Sequence, residues 1–300
     1  MKKRSRLRTG LEYAAARFVL ATLSYGPVAF SERLARVYTG LLDRAIPRLR
    51  RVAMRNLALA LPSLDSAEHA RIASASFHSI ARILVSMARF PRIGKSNVRQ
   101  WIGYDGFEHY ERALEAGKGV LFATAHLGNW ELSAFAHALM AKPMHIVVRA
   151  LDNPRIDAMV TRLRGASGNH VIEKRDFARG ILRALSRNEA VGILIDQNAA
   201  LDEGLFIDFF GVKACVSGGI ARIAARTGAT VIPGFALWYD AESRYVLKFY
   251  PPVAITGDEA EDTRRIHATL EAAIREYPDQ WLWMHRRWKT RPPGEPPIYT

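Results

Sequence analysis

One cysteine in 300 residues, Cys215, excludes an internal disulfide framework and fits a chain that faces a reducing compartment. A lone small residue of this kind reads as core packing ahead of a reactive thiol. There is no Cys/His cluster and no His-Glu-x-x-His pattern, and neither a Gly-x-Gly-x-x-Gly nor a P-loop. No metal and no cofactor are therefore expected. Long apolar runs are also lacking. The nearest approach covers residues 13–30, where Arg17 lies near one end and Gly26-Pro27 interrupt the other, whereas a spanning helix needs about 20 apolar residues. The segment reads as a helix lying in or dipping into a membrane interface, with a true span and a buried core helix as the alternatives. No small-x-small cleavage site follows it, which argues for retention over removal as a signal peptide.

Acidic residues are scarce: 29 Asp and Glu face 43 Lys and Arg, for a net charge of +14. The excess is concentrated at the ends. Residues 1–60, opening with Lys2-Lys-Arg4, hold thirteen basic residues against Glu12, Glu32 and Asp43, and residues 281–300 hold four against Glu295. Such a patch attracts an anionic surface, and the apolar segment beside it favours a membrane with acidic headgroups over nucleic acid. A nucleic-acid-binding protein would leave residues 13–30 unexplained. With 49% hydrophobic residues the chain can bury a substantial core.

From Ser31 to about Arg99 the apolar spacing is helical, punctuated by Pro47, Pro62 and Pro91. Beyond Gly103, short apolar runs at 120–123, 144–148, 191–195, 231–237 and 245–249 read as strands, alternating with helical stretches near 130–141, 154–166, 178–188, 217–227 and 259–276. The pattern predicts an α/β fold: a mostly parallel central sheet flanked by helices, with an antiparallel addition near the end, preceded by an N-terminal helical, membrane-associating segment. The expected organisation is a basic, apolar helical cap over 1–95, an α/β domain over 96–292 and a loose, proline-rich tail over 293–300.

The stretch Thr124-Ala-His-Leu-Gly-Asn-Trp-Glu131 follows the first of the central strands and puts a histidine and a carboxylate five positions apart at a strand-to-helix turn. His126 there can take a proton near neutral pH, and Glu131 is the expected partner that fixes its tautomer. Gly128 and Asn129 suit the turn, and Asn129 is also a candidate for contacting substrate. Glu131 also has a structural reading, in which its charge complements the first helical turn. His126, Arg149 and Asp196 all fall at strand C-termini, where the active groups of such sheets gather.

The segment His126-Leu-Gly-Asn-Trp-Glu131 resembles the signature of the late acyltransferases of lipid A biosynthesis, within the lysophospholipid acyltransferase group. Three further stretches resemble the family in the same order. They are Arg50-Arg-Val-Ala-Met-Arg-Asn-Leu-Ala-Leu-Ala-Leu-Pro62, then Ile193-Leu-Ile-Asp-Gln-Asn198 leading to Phe209-Phe-Gly211, and Gln280-Trp-Leu-Trp-Met-His-Arg-Arg-Trp-Lys-Thr-Arg-Pro292. The resemblance implies transfer of a fatty acyl group from acyl carrier protein to a hydroxyl of a phosphorylated lipid A precursor, at the cytoplasmic face of the inner membrane. An acyl-CoA donor and another anionic membrane lipid are the sibling reading, and a thioester hydrolase is a more distant one. The family usually begins with an apolar anchor, from which the interrupted segment 13–30 departs.

On this reading His126 is the general base and Glu131 its orienting partner. An arginine in the region of Arg149 is associated in the family with anionic substrate groups, though Arg149 also reads as a solvated residue or an ion-pair partner of Asp152. Asp196 and Gln197 either face the substrate or make a turn, with Asp196 the better candidate for orienting a catalytic group. Ser217 precedes a helix start that could hold a phosphate or be a simple N-cap. Arg164 is a further candidate on a helix crowded with arginines. Arg286 and Arg287 read as surface contacts, whereas Trp281 and Trp283 read as buried structure.

Overall fold

The computed structural model describes residues 5–173 and 177–299, so the basic start Lys2-Lys-Arg4 lies outside the described residues. Four helices come first: α1 (Arg6–Ser24), α2 (Val28–Ala45), α3 (Pro47–Ala60) and α4 (Ser66–Arg89). Their boundaries follow from local chemistry. Gly26, at φ 79°, and Pro27 separate the first two. Pro47 sits in the first turn of α3, and the Asp65 carboxylate caps α4 by accepting from the Glu68 N–H. The apolar segment 13–30 is therefore shared by two helices, and among the described residues no helix is long and apolar enough to cross a membrane.

The α/β layer then runs β1 (Ile102–Asp105), α5 (Phe107–Glu115), β2 (Val120–Thr124), α6 (Trp130–Met140), β3 (His145–Val148), α7 (Pro154–Gly165), β4 (His170–Glu173), α8 (Phe177–Leu185), β5 (Ala190–Leu194), β6 (Leu205–Phe209), β7 (Val212–Val216), α9 (Gly219–Thr227), β8 (Thr230–Tyr239), β9 (Arg244–Phe249) and α10 (Glu259–Glu276). Seven strands form one sheet in the order β1-β9-β8-β2-β5-β3-β4. Every pairing in it is parallel except β8 with β9, the antiparallel addition expected near the end.

Three strand features were not anticipated. β1 and β4 are four residues each, too short to show a clear period. The third is the hairpin β6–β7, a separate two-stranded sheet. It closes through Phe210 and Gly211 at φ 57° and 73°, the positive pair that a type I′ turn demands.

Alternation along the central strands sorts the core into two halves. Leu121, Ala123, Val191 and Val231 face a cluster that takes in Leu57 of α3, Ile72 of α4 and Trp281, Trp283 and Trp288. Phe122, Ile232 and Ala236 face the other, with Leu132 and Phe135 of α6 and Ile83 and Met87 of α4. Helix α4 thus contributes to both halves. The C-terminal stretch is anchored, contrary to the loose tail expected: the Tyr299 hydroxyl donates to Asn56 at 2.6 Å and accepts from the Trp288 N–H at 3.1 Å.

Candidate active site

β2 ends at Thr124 and delivers His126 into a turn that is stitched on both sides. The His126 carbonyl accepts from Leu282 N–H at 3.0 Å, Gly128 N–H donates to Gln280 O at 3.0 Å, and Asn129 N–H donates to Ala236 O at 2.8 Å. Gly128 is at φ 65°, and a Cβ there would lie 1.9 Å from the Ala236 carbonyl oxygen, so only glycine fits against β8. Asn129, fully buried, caps α6 by accepting from Leu132 N–H and donates its own amide to Ser86 of α4 at 2.9 Å. Asn129 therefore acts as scaffold for the turn, and its burial overturns the substrate contact expected of it.

The His126 ring is held by Asp196, two residues past the end of β5. Nδ1 lies 2.9 Å from Asp196 Oδ1, and Oδ2 of the same carboxylate accepts from the His126 N–H and from the Trp281 indole, each at 2.9 Å. This is a correction to the expected pairing, because the carboxylate five positions downstream bonds elsewhere. Glu131 points from the first turn of α6 to Arg164 of α7, which grips it with two bonds of 2.9 and 2.5 Å. The register of the sheet explains the exchange. β2 and β5 are adjacent and parallel with Thr124 opposite Leu194, so the two strand ends bring His126 and Asp196 together across 70 positions of sequence.

With its Nδ1–H donated to a carboxylate, His126 presents a bare Nε2 to whatever lies in front of it. Burial would depress the imidazolium, but the charge and hydrogen bond of Asp196 override it and hold the His126 pKa above 6.5. The Asp196 carboxyl is correspondingly kept well below the usual carboxylate range despite its burial. Trp130 packs edge-on against the imidazole, ring centres 4.8 Å apart.

A C-terminal strap closes the back of the site. Asn56, from the Arg50–Pro62 stretch, donates to the carbonyls of Trp283 and His285 at 2.7 Å each, and Asn198 and Thr290 bond each other twice, at 2.8 and 2.9 Å. His285, pushed down to about 4 by burial, is neutral and accepts from Asn198 N–H. Arg287 is fully buried, which overturns the surface role expected of it. Its guanidinium donates to the carbonyls of Gln197 and Cys215 at 3.1 Å and lies over the Phe209 ring. Trp281, expected as buried structure, is buried and in addition makes its indole N–H one of the three donors on Asp196. The interleaving of aromatics and cations in this stretch was the available signal.

The remaining sequence candidates spread out. Arg149 is exposed just past β3, whose last residue Val148 lines the cavity described below. Gln197 contributes its carbonyl to Arg287. Ser217 accepts from Gly219 N–H within its own turn. The Glu259 carboxylate lies close beside Gly218 at the start of α9 and pairs with Arg222. Arg286 lies against the Tyr299 ring, 5.6 Å from its centre.

Between α6 and the sheet lies a largely apolar cavity enclosing about 710 Å³ of empty space out to its mouth. Trp130, Glu131 and Arg164 line its partly exposed end. Phe122, Phe249 and His137 line its deep end. His137 bonds the Tyr104 hydroxyl at 2.9 Å, and burial pushes its pKa down to about 3, so it is a neutral wall. The lining, mostly apolar with a few polar groups, is of the kind that takes an apolar ligand.

A family model for bacterial lipid A biosynthesis acyltransferases matches residues 1–290. The chain is 28% identical over 256 residues to the lipid A biosynthesis palmitoleoyltransferase of Escherichia coli strain K12, covering 85% of this chain and 83% of that one. It is also 28% identical over 259 residues to the lauroyltransferase of the same organism, covering 85% and 84%. A lipid A biosynthesis acyltransferase of Haemophilus influenzae is 21% identical over 280 residues, covering 93% and 87%. The match covers nearly the whole chain, and the chain belongs to the bacterial lipid A biosynthesis acyltransferase family.

Proposed function

We propose that the protein transfers a fatty acyl chain from an acyl thioester, carried by acyl carrier protein, to a hydroxyl of a lipid A precursor, with His126 as general base. The single observation that carries this reading is the His126–Asp196 pair packed against Trp130, which is itself a wall of the apolar cavity. An alcohol is a poor nucleophile at neutral pH, and a fixed base that removes its proton during attack removes that obstacle. Nε2 of His126 takes the hydroxyl proton as the oxygen bonds to the thioester carbonyl carbon. The tetrahedral intermediate then expels the thiolate, which recovers the proton from the imidazolium, leaving an ester and a free thiol. No acyl-enzyme is needed.

Asp196 fixes the tautomer and stabilises the imidazolium, the part first expected of Glu131. Glu131 instead holds Arg164 at the cavity mouth, where the guanidinium offers fixed positive charge to the developing oxyanion. Its negative charge also favours protonated His126. The cavity takes the acyl chain. Arg149, just outside it, suits the phosphate of an anionic lipid.

The chain's first helices support work at a membrane surface. Leu7, Leu11 and Phe18 on α1 and Phe30, Val37 and Leu41 on α2 are all more than half exposed, at helical spacing, among the exposed Arg33, Arg36, Arg48 and Arg51. Apolar side chains framed by cations fit an acidic leaflet, such as the cytoplasmic face of the inner membrane.

The test is a transfer assay with labelled acyl carrier protein thioester and a lipid A precursor. Acylated lipid supports the reading. Free fatty acid with no acylated lipid points to hydrolysis, and turnover only with acyl-CoA replaces the donor.

A further inference from the structure

Buried strands of a parallel sheet are normally filled by Val, Ile and Leu, because both faces are covered. Two strands here carry a glycine on the face that looks at α6. Gly192 of β5 lies in register between Ile146 of β3 and Phe122 of β2, and Gly234 of β8 pairs with Phe249 of β9. Neither glycine has the positive φ that demands this residue type, so backbone geometry does not account for them. Both line the cavity. A glycine inside a strand costs conformational entropy and forgoes packing, and it marks places where something else approaches the backbone closely.

What a side chain would meet at these positions is specific. A Cβ on residue 192 would come within 2.8 Å of the Met144 terminal methyl, and one on residue 234 within 3.0 Å of the Phe249 ring. Met144 and Phe249 are themselves cavity walls. Each added methyl would therefore displace a side chain that forms the cavity wall and reshape the space it bounds. From this we infer that Gly192 and Gly234, with Met144 opposite, set the length of acyl chain the enzyme accepts. The inference rests on the acyl-transfer reading and adds to it the residues that read the chain.

The experiment uses the full-length protein and two readouts on Gly192→Ala, Gly234→Ala, Met144→Ala and the double variant Gly192→Ala/Met144→Ala. One is kcat/KM for acyl carrier protein thioesters from octanoyl to palmitoyl. The other is competition of the matching free fatty acids against a fluorescent fatty acid, which needs no turnover. One methylene in an apolar site is worth roughly tenfold or more in discrimination. Gly192→Ala and Gly234→Ala should thus move the optimum to shorter chains, with the long-to-short ratio falling about tenfold. Met144→Ala should move it to longer chains, and the double variant should return it toward the parent profile. Because the double variant restores space instead of removing it, a folding defect in one glycine variant does not mimic this pattern. A uniform loss across all lengths, with no reciprocal shift in Met144→Ala, would overturn the inference. A parent that transfers nothing but still shows the shifted binding profiles would sink the transfer reading and leave the chain-length role standing. A parent that binds no chain of any length overturns both.

Discussion

His126 and Asp196 lie 70 positions apart in sequence, yet the imidazole Nδ1 and a carboxylate oxygen are 2.9 Å apart, and the same carboxylate also accepts the His126 backbone N–H. One side chain thus fixes the ring, its tautomer and the backbone that carries it. Replacing Asp196 by Asn leaves the shape but offers an amide that can donate to Nδ1, stabilising the tautomer whose proton sits on Nε2. Steady-state kinetics on Asp196→Asn should show kcat reduced by about 10³ to 10⁴ with little change in KM, the size of effect that a wrong tautomer causes in hydrolytic triads. A kcat within threefold of the parent would remove Asp196 from the reaction.

The pH profile follows from the same pair. His126 must be unprotonated to act as base, and its folded pKa is raised, so kcat/KM should climb with pH through a midpoint above 6.5. In Asp196→Asn that midpoint should drop, because burial is then opposed only by the smaller effect of the Glu131 charge. The stability linkage has the opposite sense. A group with a raised folded pKa contributes stability that is fully present below its unfolded value of 6.5 and is lost as pH rises through the folded value. Thermal melts from pH 5 to 9 should therefore show the advantage of parent over His126→Gln shrinking as pH rises. An advantage that grows with pH would contradict the assigned direction.

Glu131 and Arg164 are both largely buried, with side chains 9% and 16% exposed. Removing one partner strands the other, which costs about 3 kcal/mol or more, whereas removing both leaves no uncompensated charge. Denaturant melts should find Arg164→Met strongly destabilised and Glu131→Gln/Arg164→Met less so than the sum of its single changes. Transfer activity should stay low in both variants that carry Arg164→Met, since the charge at the cavity mouth is gone. A double variant with parental activity would reduce the pair to structure.

Gly128 makes a sharper structural prediction. Alanine there must adopt φ near 65° and place its Cβ 1.9 Å from a carbonyl oxygen. Backbone strain alone is worth roughly 1–3 kcal/mol, before the clash moves the turn off β8. Gly128→Ala should lose both thermal stability and most transfer activity, with far-ultraviolet circular dichroism unchanged. Parental activity would mean that the turn tolerates displacement.

The sequence made the alternation of strands and helices legible because each central element has its own apolar pattern and its own stops, as at Gly128 and Asn129 before α6. It also exposed His126, since a histidine directly after a buried apolar run is a local pattern. The partner was hidden. Glu131 was nearest in sequence, but distance along the chain says little about a sheet in which β2 and β5 are neighbours. Trp281 and Arg287 were obscured for a related reason: a strap crossing the sheet ends has no periodicity to betray which side chains turn inward.

The most direct test of the account is single-turnover acyl transfer by purified His126→Gln, checked for a parental melting profile, with acyl carrier protein thioester and a lipid A precursor. The account predicts loss of the chemical step by several orders of magnitude with donor binding retained. Transfer at the parental rate would contradict it, and would move the proton acceptor to another group in the site.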